Sequence, residues 1–102
     1  MDKRLDDGSI MRLAPTCRLQ WEPERQIYLL LYPAGLVPLS ALASEVLRRC
    51  DGHRRVGEIA TELAHQCPGR HAEADVRDFL RSAREEGWIV PAHGPKRRRD
   101  RL

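Results

Sequence analysis

The hydrophobic period of this chain changes once, near Ser40, and that change bounds the folds open to it. Before Ser40, apolar residues recur at every second position. Cys17, Leu19 and Trp21 alternate with Arg18, Gln20 and Glu22, the pattern of a half-buried strand. Pro23-Glu24-Arg25 supplies a turn. From Gln26 to Tyr32, Ile27, Leu29 and Leu31 line one face, and Tyr28, Leu30 and Tyr32 line the other. A strand apolar on both faces is expected to be covered on both. Pro33-Ala34-Gly35 turns the chain again, and Leu36 to Leu39 makes a short third strand. Two tight links in succession imply an antiparallel meander with the second strand at its centre.

After Ser40 the period is 3.6. Ser40 is a good N-cap, and Leu42, Ala43, Val46, Leu47 and Cys50 fall on one helical face. Asp51-Gly52 is expected to end that helix. A second helix is predicted from about Val56 to Cys67, with Val56, Ile59, Ala60, Leu63 and Ala64 as its apolar stripe. Pro68-Gly69 breaks it. A third runs from about Ala72 to Glu86, with Val76, Phe79, Leu80 and Ala83 inward, and Gly87 stops it. Trp88-Ile89-Val90 is a short apolar coda. Three strands followed by three helices make an α+β segregation. Helices two and three look like a helix-turn-helix pair, so the whole reads as a winged helix-turn-helix-like module.

A chain of 102 residues suits one domain. Its aromatic content is 5%, so the core must be mostly Leu, Val, Ile and Ala, with no room for a large buried catalytic cleft. The longest apolar run, Ile27 to Tyr32, is strand-sized, so no membrane span is expected. The N-terminus lacks the apolar core of a signal peptide. Residues 1–16 hold no sustained period and read as a flexible arm, though Ile10, Met11 and Leu13 have the character to dock. Residues 17–91 would be the folded unit and residues 92–102 a basic, disordered tail. Residues 96–102 carry five positive charges and one negative, so of the net +3 the rest of the chain holds −1. Three widely spaced cysteines do not make a disulfide framework, which points to the cytoplasm.

Pro38 makes the third strand the most informative element. Proline has no N–H and sits on sheet edges, with its nitrogen away from the ladder. If Pro38 faces outward, so do Leu36 and Ser40, while Val37 and Leu39 pair with the second strand. The outer edge would then accept at Leu36, Pro38 and Ser40 and donate at Leu36 and Ser40, a dock for an added strand. The alternative is a solvated edge, blunted by its shortness and its proline. On the third helix, Arg77, Arg81 and Arg84 cluster on one flank, suited to the carboxylates of an acidic peptide. That flank equally reads as solvated and paired along the helix, or as a phosphate contact in a DNA-binding regulator. The near-neutral body argues against nucleic acid. Tyr28, Leu30 and Tyr32 form an exposed partner surface or dimer face unless Ile10, Met11 and Leu13 cover them.

Chemistry is not indicated. Cys50, His53, His65 and Cys67 are a conceivable metal quartet, but the single residue between His65 and Cys67 is too short a spacing, and both cysteines fall on apolar helix faces. No phosphate loop, nucleophile elbow or pair of carboxylates in an apolar setting occurs. No metal, no cofactor and no catalytic residue is expected.

The residues carry a family resemblance. Arg18-Leu19-Gln20-Trp21-Glu22, Leu30-Leu31-Tyr32-Pro33-Ala34-Gly35, Leu39-Ser40, Ala43, and the run Glu45-Val46-Leu47-Arg48-Arg49-Cys50-Asp51-Gly52 resemble the PqqD family of pyrroloquinoline quinone (PQQ) biosynthesis proteins. Phe79-Leu80 and Gly87-Trp88-Ile89 continue the likeness, which spans about residues 17–90. The resemblance implies a winged-helix-like peptide chaperone. It would bind the precursor peptide PqqA and present it to the radical S-adenosylmethionine enzyme PqqE. By likeness to related recognition domains, the peptide would add a strand along Leu36, Val37, Pro38, Leu39 and Ser40. Val76, Arg77, Phe79, Leu80, Ala83 and Arg84 would form the opposite wall, with Val76, Phe79 and Leu80 also suited to the core. Pro38 and Ser40 depart from the basic or polar residue and the Asn usual in the family. The rival reading is a winged-helix DNA-binding regulator. Monomer and dimer are both compatible with an open edge.

Overall fold

The computed structural model describes residues 5–66 and 73–92. The predicted break at Pro68-Gly69 and the basic tail lie outside them. Along the chain run β1 (Ile10–Leu13), β2 (Arg18–Glu22), β3 (Ile27–Tyr32), β4 (Gly35–Pro38), α1 (Ala41–Arg48), β5 (Asp51–Arg55), α2 (Val56–Gln66), α3 (Glu73–Glu86) and β6 (Ile89–Pro91). The α+β class and the meander stand where the period-two pattern placed them, with β3 between β2 and β4. Both links are antiparallel, with Trp21 opposite Tyr28 and Leu31 opposite Leu36. The β2–β3 turn closes through Gln26, whose N–H donates to Glu22 O (2.7 Å) at a left-handed φ of 55°.

A second antiparallel sheet, ordered β5-β1-β6, departs from the sequence expectation. Residues 10–13 are not part of a loose arm. They form its central strand, with Met11 opposite Pro91, Leu13 opposite Ile89 and Ile10 opposite Arg55. Met11 is buried. Four residues are too few for a period to show, and their pairing partners lie far along the chain. Asp51-Gly52 likewise opens β5 instead of ending α1, and the Trp88-Ile89-Val90 coda becomes β6. In β5 the alternation of exposed and half-buried residues is real, but polar side chains occupy it, so hydrophobicity does not reveal the strand.

The helices form where their local chemistry says they should. Ser40 Oγ accepts from the Ala43 N–H (3.1 Å) and caps α1. Glu58 reaches back to the Arg55 N–H (2.8 Å) at the start of α2. The carbonyls of Ser9 and Asp7 take the Val56 and Gly57 N–H groups of its first turn. Thus the segment before β1 supplies part of the cap of α2. At the end of α3, Gly87 N–H donates to Arg84 O and Trp88 N–H to Ala83 O. That is a Schellman closure, and it requires the left-handed φ of 82° at Gly87. One core joins these elements through Met11, Leu30, Val46, Leu47, Ile59, Leu63, Val76, Leu80 and Ile89. It unites both sheets and all three helices.

Candidate functional site

The outer edge of β4 is built from the alternation of the antiparallel ladder. Leu39 N–H donates to Tyr28 O (2.9 Å), so the hydrogen-bonded pairs of the β3–β4 ladder include Leu39, Val37 and Gly35. Leu36 and Pro38 therefore turn their backbone groups away from β3. The missing donor of proline costs the ladder nothing there. Ser40 keeps an extended backbone (φ −68°, ψ 170°), which leaves its N–H on the same outer side. Its carbonyl is different. Ser40 O accepts from both the N–H and the Oγ of Ser44, each at 2.9 Å, and belongs to α1. The edge thus donates at Leu36 and Ser40 but accepts only at Leu36 and Pro38, not at Ser40 as the strand pattern suggested.

The two faces of the meander are unequal. Leu30 is fully buried in the core, and Tyr28, Tyr32, Leu19 and Val37 pack against it from the same face. Tyr28 meets Trp21 edge-on (5.0 Å between ring centroids) and lies under the Arg48 guanidinium (5.4 Å). Tyr32 contacts Trp88 (6.1 Å), which brings the C-terminal end of α3 beside β3. Tyr28, Leu30 and Tyr32 are therefore not an exposed partner surface. They point inward because Met11 of β1 and residues of the helices fill the space beneath them, so the expectation of an exposed patch is corrected. The opposite face carries Ile27, Leu29 and Leu31 of β3 with Leu36 and Pro38 of β4, and none of these packs on the core. Leu36 is 55% exposed.

The expected wall of α3 is also redistributed. Val76, Leu80 and Ala83 are fully buried and cannot line a groove. Phe79 is half-buried against the core. At about 100° per residue, Phe79 lies on one side of the buried stripe while Arg77, Arg81 and Arg84 lie on the other. The six residues thus do not share one surface. Arg77 is engaged by the segment before β1: its Nε and Nη2 hold both carboxylate oxygens of Asp7 at 2.9 Å, and its Nη1 reaches Glu73 (3.2 Å). The hydrogen bonds from Arg77 hold the Asp7 carboxyl below its usual range. Arg81 pairs with Asp78 (2.7 Å), one turn before it on the same helix. Arg84 makes no ion pair among the described residues. Of the basic flank, Arg77 and Arg81 are thus ion-paired and Arg84, among the described residues, is not.

Sequence reasoning missed one feature. An open cleft of ≈ 580 Å³ lies at the hairpin end of the meander beside α1, lined by Trp21, Gln26, Tyr28, Leu39, Ser44, Glu45 and Arg48 among others. Trp21 is 48% exposed, although its alternation with charged residues suggested burial. The signal available was its register opposite Tyr28, which sets an aromatic pair at the sheet's end. Among the described residues no cluster of His, Cys, Asp and Glu is grouped to hold a metal. Burial, with the neighbouring Asp51 carboxylate, pushes the Cys50 thiol up to about 12, which leaves it inert as a nucleophile. No helix among the described residues is long and apolar enough to cross a membrane.

Comparison with known proteins supplies what the geometry leaves open. The family described as coenzyme PQQ synthesis protein D (PqqD) matches residues 28–89. The chain is 36% identical over 85 residues to a PqqA binding protein of Methylococcus capsulatus, covering 83% of this chain and 91% of that one. It is 41% identical over 83 residues to a PqqA binding protein of Azotobacter vinelandii, covering 80% and 90%. Among solved structures it is similar to the PqqD truncation of Methylobacterium extorquens PqqCD, described as a stand-alone recognition element for ribosomally synthesized and modified peptides. There the TM-score is 0.67 at 24% identity, over 86% of this chain and 96% of that one. It is also similar to the heterocyclase TruD, with a TM-score of 0.62 at 19% identity, over 87% of this chain and 12% of that one. Both structural likenesses concern the fold.

Proposed function

The chain belongs to the PqqD family, and from that premise we propose that it binds the precursor peptide PqqA and presents it to the radical S-adenosylmethionine enzyme PqqE. It holds the peptide without altering it; the partner enzyme supplies the chemistry. The site of action is the cytoplasm, in keeping with Cys17 and Cys50 as free thiols.

The supporting observation is the outer edge of β4. Leu36, Pro38 and Ser40 turn unpaired backbone groups outward next to an exposed leucine, and the peptide adds to them as a fourth strand. The edge offers four hydrogen bonds: two donors and two acceptors. At a net ~0.5–1.5 kcal/mol each they contribute about 2–6 kcal/mol. Association itself costs about 4–15 kcal/mol. The backbone ladder orients the peptide, and side chains must supply the rest. On the core side, the half-buried Val37 and Phe79 are apolar residues that can serve.

The test is a titration of isotope-labelled protein with synthetic PqqA, followed by amide NMR. Shifts are expected at Leu36, Val37, Leu39 and Ser40, and along α3 at Phe79. Shifts confined to the β5-β1-β6 sheet would overturn the assignment.

A further inference from the structure

Every donor and acceptor on the β4 edge is backbone, and backbone bonds do not read sequence. Something else must set the register of the peptide. The edge does so through an asymmetry. Leu36 turns both its N–H and its C=O outward. Pro38 offers only a carbonyl, and Ser40 offers only an N–H because its carbonyl is held by Ser44. An antiparallel guest can therefore form a reciprocal two-bond pair with Leu36 alone. Residues paired in this way put their side chains on the same face of the sheet, with Cβ atoms ~4.5–5.5 Å apart.

That face is the one turned away from the core. Leu36 continues a cross-strand row that runs from Arg18 through Leu31. Next to it runs the row of Gln20, Leu29 and Pro38. Leu29 is buried although it lies outside the core cluster. Leu31 is half-buried there, and exposure rises to 55% at Leu36 on the edge. Resting on the strand-addition reading, we infer that this outer face is a second recognition surface. Leu36 pins the register of the peptide, and the peptide residue directly across from it is aliphatic or aromatic. A polar residue at that position would leave Leu36 half-exposed in the complex and be selected against. Peptides are thus read on both faces of the added strand: the core-facing positions by Val37 and Phe79, the outward position by Leu36.

The experiment is a double-mutant cycle by calorimetry. Leu36→Ala and Leu36→Thr, the latter retaining strand preference, are each titrated with PqqA and with an alanine scan of PqqA. Both variants should fold, because Leu36 contributes nothing to the core; thermal unfolding checks this. Leu36→Ala is expected to weaken PqqA on the order of tenfold. One apolar position of the peptide should lose most of its alanine penalty in both variants, while its immediate neighbours keep theirs. Hydrogen exchange at the Leu36 amide separates the two levels of the proposal. Protection of that amide on binding, with penalties that simply add at every peptide position, overturns the inference and leaves strand addition standing. Binding without protection overturns strand addition, and the inference with it.

Discussion

Pro38→Ala tests the strand-addition geometry by adding the one backbone group the edge lacks. Pro38 lies opposite Leu29 at a position where its backbone faces away from β3. An alanine there gains an N–H that points outward and does not disturb the existing ladder. A bound peptide would then find three donors on the edge instead of two. One further hydrogen bond is worth ~0.5–1.5 kcal/mol net, so PqqA should bind about 2- to 12-fold more tightly. Stability should move the other way. Proline restricts the unfolded chain, and replacing it costs ~0.4–1 kcal/mol where the native backbone suits it. For a domain of this size that lowers Tm by about 2–8 °C. Calorimetry and thermal unfolding read the two effects separately. If Pro38→Ala binds PqqA no better, or worse, while its stability falls as expected, the peptide does not lie along the outer edge of β4.

Met11→Ala should cost ~2–5 kcal/mol, because Met11 is buried in the centre of the second sheet; an unchanged urea midpoint would mean residues 10–13 are indeed a loose arm. Asp7→Asn removes the carboxylate gripped by Arg77. The carboxyl titrates lower in the folded protein than in the unfolded chain, so its stabilisation is present above the unfolded carboxylate range and fades as pH falls through the folded one. The urea-midpoint gap between wild type and Asp7→Asn should therefore close in acid, and a gap that widens as pH falls contradicts the pair. Gly87→Ala has open space for its Cβ but a φ of +82°, so its penalty is conformational, ~1–2 kcal/mol, with the Schellman closure weakened; denaturant unfolding at full stability would show the closure to be dispensable.

The parts of this molecule legible in the sequence are those whose cause is local. Ser40 caps α1 with its own side chain, Gly87 supplies a conformation other residues resist, and the alternation of β2 and β3 is written over five or six residues. Pro38 belongs with them: a missing N–H is a property of the residue, and it marks an edge wherever the strand is placed. The illegible parts are decided by distant partners. β3 is apolar on both faces, and nothing within it says which face the core will take. Met11 of β1 and the helices decide this by filling the side of Leu30, which leaves Ile27, Leu29 and Leu31 outside. The α3 wall fails for the same reason. Of the inward stripe read as Val76, Phe79, Leu80 and Ala83, all but the half-buried Phe79 are fully buried, and a stripe satisfied by the core has nothing left to offer a ligand. Arg77 is spent on Asp7, a residue seventy positions away that no helical period connects to it. The edge and its exposed leucine are what remains once these interior demands are met. A peptide site on this fold is therefore best sought among apolar residues that the core leaves uncovered next to unpaired backbone, and β4 meets that condition at Leu36.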